Sequence, residues 1–379
     1  MKTSKLVPTL LVVLGVLLLS LGSTVLAQSP LPGTLIASGF NGPQGVLVDP
    51  EGNVWVIDSG MGGEQTMQVP GEDGEEMTVS VGTTARIVEV APDGTQTEVA
   101  MLPSLYLAER QETLGGARLA LLDGVLYATS AGWNVADLDP LPLFAAIVRV
   151  DGETVTQVAG TWAIEKANNP DGTLLDTHPY GLSAGPDGWL WVADAGANDL
   201  LRVNPATGEV VLVAAFAGLP GPFPNPARGG AMEADPVPTA VAFDAEGNAY
   251  VSLLSGGPFV PGSAAVLRVT PTGEVSEYAT GLTTLTDLTR GPDGELYAIQ
   301  FGIFTEQGPT PNSGALIRIK EGSASEVVVD GLPFPTGLSF DADGNAYVAV
   351  NGVGAPGSGA VICLEGVTGM AGQPLPAMP

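Results

Sequence analysis

Short apolar runs, each ended by a tight polar corner, recur along most of this chain. Residues 177–208 show the pattern most clearly, with apolar runs separated by Pro-Asp-Gly and Pro-Ala-Thr-Gly. Apolar runs bounded by Gly, Pro and Asp predict β-strands joined by turns. A unit of three such strands cannot bury its own faces, so it must pack against copies of itself.

Six copies of one hairpin carry this pattern, at 45–58, 117–130, 181–194, 240–253, 287–300 and 337–350. In each copy a large aromatic residue stands three positions after the corner glycine; these residues are Trp55, Tyr127, Trp191, Tyr250, Tyr297 and Tyr347. A third strand follows every hairpin, and four copies have an arginine at one equivalent position: Arg149, Arg202, Arg268 and Arg318. We interpret this repeated arginine as structural, a bridge to a carboxylate or a carbonyl.

Repeats of this length in a strand-rich chain predict a β-propeller. The length of 379 residues suits six four-stranded blades, and 52 Gly and 32 Pro supply the many turns. Residues 34–45 match the segment that leads into the last hairpin, so we predict that the N-terminal strand joins the last blade and closes the ring. The predicted fold is an all-β, six-bladed propeller of four-stranded antiparallel blades over 33–366.

The two ends of the chain are predicted to lie outside this fold. Lys2 and Lys5 precede an apolar run at 6–21, and Val-Leu-Ala at 25–27 offers a cleavage position. This pattern predicts a signal peptide at 1–27, with an uncleaved anchor as the alternative. We therefore expect a secreted, periplasmic or otherwise extracytoplasmic protein. The Gly- and Pro-rich tail at 367–379 is predicted to be disordered.

The charge balance narrows the range of partners. Thirteen Lys and Arg stand against 41 Asp and Glu, which gives a formal net charge of −28. Such a surface repels nucleic acid and anionic lipid headgroups, so we expect neither nucleic-acid binding nor membrane association after signal cleavage. We expect a monomer. Cys363 is the single cysteine, and we interpret it as a buried thiol in the arginine position of the last repeat.

The long connections predict where function lies. The loops between second and third strands and the crossovers between blades are long, and in a propeller both kinds emerge on the face opposite the short corners. We expect this face to bind a small molecule, a glycan or a protein at the channel mouth. The candidate ligand-binding residues enter the inner strands or end a second strand: Gln44, Tyr180, Thr239, Thr286, Thr336 and Gln300.

Three further residues are candidates for catalysis. His178 is the single histidine and precedes the third inner strand, where it is predicted to face the channel mouth. It could act as a general base or metal ligand, with Asp58 or Asp194 orienting it. The structural alternative is that His178 bonds a neighbouring loop and that each aspartate closes a turn after its strand.

No cofactor is evident from the motifs. The segments 244–248 and 341–345 share some features with a calcium loop, but they lack its glycine and distal glutamate spacing, so we interpret them as hairpin corners. A divalent cation such as calcium stays an open alternative, with Asp58 and Asp194 as the candidate metal ligands.

The motifs SGFNGPQGVLVDPEGNVWVIDSG, HPYGL, GWLWVADAGANDLLRV and PTGLSFDADGNAYVAV resemble the ScyD/ScyE family over about 34–366. The resemblance implies an exported six-bladed propeller related to NHL-repeat and TolB-like propellers. It also implies a link to late, extracytoplasmic steps of scytonemin synthesis, including oxidative dimerisation of the monomer.

A second resemblance is to senescence-marker-protein and gluconolactonase propellers, which hold a divalent cation with Glu, Asn and Asp at the channel mouth. The matching positions here, Gln44, Tyr180, Thr239, Thr286 and Thr336, include no carboxylate. Two hypotheses follow. The first is a binding module that uses the loop-bearing face. The alternative is an enzyme at the channel mouth, either a metal-assisted hydrolase of the gluconolactonase type or an enzyme of oxidative coupling on an aromatic substrate.

Overall fold

The structure, a computed structural model, describes residues 31–70 and 76–376. The predicted signal peptide therefore lies outside the described residues, as do the last three residues of the tail. Within the described ranges, no helix is both long and apolar enough to span a bilayer.

The described chain is built almost entirely of strands. The first half contains β1 (Thr34–Phe40), β2 (Pro43–Val48), β3 (Val54–Asp58), β4 (Gln65–Pro70), β5 (Glu76–Val90), β6 (Gln96–Leu107), β7 (Glu112–Leu114), β8 (Gly116–Leu122), β9 (Val125–Ser130), β10 (Ala146–Asp151), β11 (Thr154–Gly160), β12 (Pro179–Ala184), β13 (Leu190–Asp194), β14 (Asp199–Val203) and β15 (Val210–Ala215). The second half contains β16 (Leu219–Asn225), β17 (Ala231–Ala234), β18 (Pro238–Phe243), β19 (Ala249–Leu253), β20 (Ala264–Val269), β21 (Val275–Leu282), β22 (Leu285–Arg290), β23 (Leu296–Gln300), β24 (Phe304–Thr305), β25 (Gly308–Pro309), β26 (Gly314–Ile319), β27 (Glu326–Leu332), β28 (Gly337–Phe340), β29 (Ala346–Val350), β30 (Gly359–Leu364) and β31 (Gln373–Pro374). The helical elements are α1 (Trp162–Asn168) and two 3-10 turns, Pro226–Arg228 and Val367–Gly369.

These strands form antiparallel sheets, which confirms the all-β prediction. We number six sheets by chain order: sheet 1 (β2-β3-β5-β6-β7, with β4 on β5), sheet 2 (β8-β9-β10-β11), sheet 3 (β12-β13-β14-β15), sheet 4 (β18-β19-β20-β21), sheet 5 (β22-β23-β26-β27-β31) and sheet 6 (β28-β29-β30-β1). The strand pairs β16-β17 and β24-β25 stand apart from them.

The first strands of the sheets pack against one another in a closed cycle. Each contacts the first strand of the next sheet, and β28 of sheet 6 contacts β2 of sheet 1. Glycines permit this approach: a Cβ atom on Gly337 would lie 2.8 Å from the Cα of Gly45, and one on Gly181 would lie 2.8 Å from the Cα of Ala240. Any larger side chain at these positions would push the sheets apart.

The N-terminal strand lies where the sequence match places it. β1 pairs antiparallel with β30, with Thr34 opposite Cys363 and Phe40 opposite Gly359. The inner side of β1 is fully buried at Phe40, whereas Leu35 on the same strand is 53% exposed. The first and last strands of the repeating array are thus hydrogen-bonded in one sheet.

The repeated aromatic residues have two partners in their own sheet. Tyr297 lies opposite Arg318 and Trp191 opposite Arg202 in the strand registers. In four of the six copies the aromatic residue also donates to the corner aspartate, as in the bond of 2.9 Å from Trp55 Nε1 to Asp49. The repeated pattern therefore reflects a hairpin corner in which the aspartate carboxylate accepts hydrogen bonds from residues of its own hairpin. This also explains why 244–248 and 341–345 form turns.

Two parts of the chain differ from the sequence-based expectation. The connection between the second and third strands of the first repeat, at 59–83, was expected to be a long loop but contains β4 and the first half of a 15-residue β5, so sheet 1 extends well beyond the others. The tail expected to be disordered from residue 367 carries a 3-10 turn and β31, which pairs with β27 up to Pro374. Composition alone did not reveal that pairing at a sheet edge.

We expect Phe40→Ala to lower the free energy of unfolding by about 3–5 kcal/mol, because it removes a fully buried ring of β1 from the cluster between sheet 6 and sheet 1. Leu35→Ala on the same strand should cost less than about 1 kcal/mol, since that side chain is half-exposed. Urea denaturation of both variants measures the difference. Equal stability of the two variants would show that β1 contributes little to the fold.

Candidate functional site

A cleft opens on the loop-bearing face, above the contact between sheets 6, 1 and 2. It has an empty volume of about 590 Å³ and opens to solvent. Its walls come from the crossover before β2, the loop after β3, the segment around β7 and the loop after β29. Gln44, His178 and Tyr180 are the predicted site residues that line it.

Arg118 fills the axis below this cleft, and its side chain is only 6% exposed. Its guanidinium donates to the carbonyl oxygens of Gln44 in sheet 1 and Thr286 in sheet 5. It also donates to the carbonyl of Thr336, at the start of sheet 6, at 2.9 Å, and to that of Ala117 in its own strand at 3.0 Å. One cation thus bonds the first strands of several sheets.

Two further contacts hold this arginine. Its Nε lies 3.4 Å from an oxygen of Asp287 in sheet 5, and its guanidinium stacks over the ring of Tyr180 in sheet 3 at 4.6 Å from the ring centroid. Burial raises the pKa of Asp287, although the nearby arginine and two backbone N–H groups oppose that rise. Arg118 and Asp287 are therefore both removed from water. A buried ion pair stabilises the fold only while both partners and their hydrogen bonds are present.

Most of the predicted ligand-binding residues use their polar groups inside the fold. The hydroxyl of Thr239 donates to the carbonyl of Leu285, that of Thr286 to Pro335, and that of Thr336 to Pro43. The remaining candidate, Gln300, donates to the carbonyl of Ser313 at 3.0 Å. These side chains link neighbouring sheets and loops, and they are buried.

Gln44 and Tyr180 form the floor of the cleft. The Tyr180 hydroxyl donates to Gln44 Oε1 at 2.9 Å, and Gln44 Nε2 donates to the carbonyl of Gly352 at 2.8 Å. The hydroxyl oxygen of Tyr180 still has acceptor capacity. These two residues are thus placed to contact a molecule in the cleft.

His178 stands beside Tyr180, edge to face, with 5.6 Å between ring centroids. Burial lowers the pKa of its imidazole to about 4. The ring is therefore neutral at pH 7, with one donor and one acceptor nitrogen. A neutral imidazole in a cleft wall is suited to hydrogen bonding and proton exchange.

Asp58 and Asp194 hold loops and do not orient the His178 ring by any described bond. Asp58 accepts from the backbone N–H groups of Asn41 and Gly42, and from Arg86 Nε at 3.1 Å. Asp194 accepts from the backbone N–H of His178 at 2.6 Å and from two N–H groups of the following turn. The two aspartates therefore play equivalent structural roles after their second strands.

Asp58 and Asp194, the predicted metal ligands, are held by other groups. Asp58 accepts from N–H donors, Asp194 accepts from N–H donors and the hydroxyl of Thr177, and the positive charge of Arg118 occupies the axis. Among residues 31–70 and 76–376, no three His, Cys, Asp or Glu side chains are arranged to bind a metal.

A group of buried acids lies behind His178 and was not identified from the sequence. It consists of Glu165 in α1, Asp176 before β12 and Asp199 in β14, and all three are buried. Burial raises the pKa of Glu165 to about 8, and it raises the pKa of Asp176 and Asp199 well above the ordinary value; nearby carboxylates add to each rise. Burial and the neighbouring carboxyl groups therefore favour the protonated form of each acid.

The comparisons with known proteins agree on the fold. No protein-family model matches the chain. The chain is 26% identical over 222 residues to the gluconolactonase of Zymomonas mobilis, a match that covers 54% of this chain and 58% of that protein. The chain thus spans less than two thirds of this curated relative.

Solved structures cover nearly all of the chain. A protein of unknown function from Bacteroides thetaiotaomicron matches with a TM-score of 0.52 and 13% identity, over 88% of this chain and 74% of that one. The PQQ-bound aldose sugar dehydrogenase of Streptomyces coelicolor matches with a TM-score of 0.51 and 15% identity, over 87% and 95%. At this level of identity the neighbours show the fold alone, and this chain has a β-propeller fold with repeat-like blades.

We expect Arg118→Met to lower the free energy of unfolding by about 3–5 kcal/mol, because Asp287 and several carbonyl groups would remain buried without their partner. Arg149→Met is the control: its side chain is half-exposed and pairs only with exposed Asp151, so the change should stay below about 1 kcal/mol. Chemical denaturation checks both. A mild effect of Arg118→Met would mean that the axis does not depend on its charge.

We also expect stability to fall as the pH rises. Glu165 binds its proton more tightly when folded, since its pKa is about 8 against 4.5 for the ordinary group. Its contribution is therefore complete below pH 4.5 and is lost as the pH rises towards and through 8.

Glu165→Gln cannot ionise, so thermal unfolding of this variant should depend less steeply on pH over that range than thermal unfolding of the parent protein. Glu153→Gln, at an exposed position, should leave the dependence unchanged. Identical pH profiles for all three proteins would contradict a protonated Glu165.

Proposed function

We propose that this protein is an exported, monomeric six-bladed β-propeller whose cleft at the channel mouth binds a small molecule. The observation that carries the proposal is the cleft itself, floored by Gln44 and Tyr180 and walled by the neutral imidazole of His178. Below it, Arg118 closes the axis, so a ligand would rest on the plug and would not enter the channel.

The ring is the scaffold of this proposal. Six sheets would be its blades, and the pairing of β1 with β30 would close it. The closed cycle of contacts between first strands supports this arrangement. Loops from different sheets then meet around one opening, which is where propellers commonly bind ligands.

The proposed setting is extracytoplasmic, as in the ScyD/ScyE family that the sequence resembles. The signal-like N-terminus and the net charge of −28 support export as a soluble protein. A glycan or a segment of a partner protein are other occupants for the same face. The small molecule is favoured because the cleft is narrow and concave, with buried polar groups at its floor.

An enzyme is the second candidate, and the similarity to a gluconolactonase supports it. His178 would act as the base, because its neutral ring can accept a proton at pH 7. Metal-assisted hydrolysis is the less favoured form, since the oxygens of Asp58 and Asp194 already accept backbone hydrogen bonds. Binding is the stronger proposal because no described acid is bonded to the His178 ring.

Thermal-shift screening of the purified protein against metabolites and sugars, with and without EDTA, tests the proposal. We expect at least one ligand to raise the melting temperature in both conditions. Val353→Trp, in the cleft wall, should lower the affinity for that ligand by about tenfold or more.

Ala355→Trp is the matched control, because it lies exposed on the same loop but outside the cleft wall. Its affinity should equal that of the parent protein. If every ligand found is insensitive to Val353→Trp, the cleft is not the binding site. If stabilisation disappears in EDTA, a metal-dependent function replaces the one proposed.

A further inference from the structure

A second space adjoins the cleft, under the extension of sheet 1. Its volume of about 710 Å³ includes space open to solvent, and the centre of a water-sized sphere can occupy about 60 Å³ of it. Most of its wall is apolar and comes from β4, β5, β6 and the loop after β9: Val69, Met77, Val79, Leu105, Leu107, Trp133 and Val135. We call this space the chamber.

The chamber and the cleft adjoin. Glu112, Leu114 and His178 belong to the walls of both. The His178 ring therefore stands between an apolar space on one side and the hydrogen-bonding floor of Gln44 and Tyr180 on the other. A molecule that spans both would need an apolar body and a polar end.

The chamber is bounded by a well-packed cluster. Val79 is fully buried, and Trp133 packs edge to face on Phe144 at 5.9 Å between ring centroids. The extension of β5, which sheets 2, 3, 4 and 6 lack, forms one wall of the chamber. This added wall favours a space that is built for an occupant.

The polar end of the chamber disfavours a charged ligand. Asp176 lies there beside Arg110 and Glu112, and its pKa is raised well above the ordinary value by burial and by the carboxyl groups of Asp194, Glu165 and Glu112. An added anion would meet the same burial and the same carboxyl groups that raise the pKa of Asp176. A cation would lose its hydration against apolar walls.

We infer that the chamber binds the apolar body of an uncharged small molecule, whose hydrogen-bonding end reaches His178 and Tyr180 in the cleft. This inference rests on the proposed function and specifies its ligand class. His178 would exchange one hydrogen bond with the polar end, and the acceptor oxygen of Tyr180 could take a second.

Isothermal titration calorimetry at pH 7 with 2-naphthol as the uncharged probe tests this inference. Asn134→Trp places a large ring at the exposed rim of the chamber and should lower the affinity for 2-naphthol by about tenfold or more. Ala136→Trp is the control, because it is exposed on the same loop but is not part of the chamber wall. Its affinity should match that of the parent protein.

Two charged analogues test the ligand class. We expect 2-naphthoate and 2-naphthylmethylammonium each to bind about tenfold more weakly than 2-naphthol. An ion that binds as tightly as 2-naphthol, or a loss of affinity that is equal in Asn134→Trp and Ala136→Trp, would overturn the inference.

The outcomes separate the inference from the function on which it rests. If 2-naphthol does not bind but the screen yields a ligand that is sensitive to Val353→Trp, the cleft functions and the chamber does not contribute. If 2-naphthol binds and only Val353→Trp weakens it, the chamber is again excluded. If no ligand is sensitive to Val353→Trp or to Asn134→Trp, both proposals fail together.

Discussion

The contact of Arg118 with the surrounding first strands is the constraint on which the centre of this molecule depends. A propeller axis collects backbone carbonyls from every blade, and these groups need donors when they are buried. Arg118 supplies several donors from one planar group and brings its own counterion, Asp287. The cost of burying that charge is offset only while all partners are present, so the axis tolerates little change.

The repeating architecture could be predicted from the sequence because each hairpin is held by bonds between residues that are close in the chain. The spacing from the corner glycine to the aromatic residue reflects a bond to the corner aspartate, as between Tyr297 and Asp293 at 2.7 Å. The recurring arginine lies opposite that aromatic residue, as Arg318 does. Arg318 bonds Tyr297 and Glu326 in its own sheet and the carbonyl of Met370 in the segment after β30. Such local bonds leave a regular trace in the chain.

The site was predictable in position but not in chemistry. The residues that enter the first strands do surround the axis. The hydroxyls of Thr239, Thr286 and Thr336, however, donate hydrogen bonds to carbonyls of neighbouring segments. Arg118 and Glu165 escaped notice because each occurs in one repeat only, so no pattern marks them. Their environment is produced by residues distant in the chain, which periodicity and spacing do not describe.

The bond between β1 and β30 also has a kinetic meaning. The two strands lie near opposite ends of the described chain, so their pairing is a contact of very long range in sequence. Contacts of this kind form late and slow the overall folding reaction, because a large loop entropy must be lost first. Until then β30 would present an open edge, and another copy of the chain could pair with it. The yield of correctly folded protein would therefore be higher at low protein concentration and when β1 reaches the last sheet quickly.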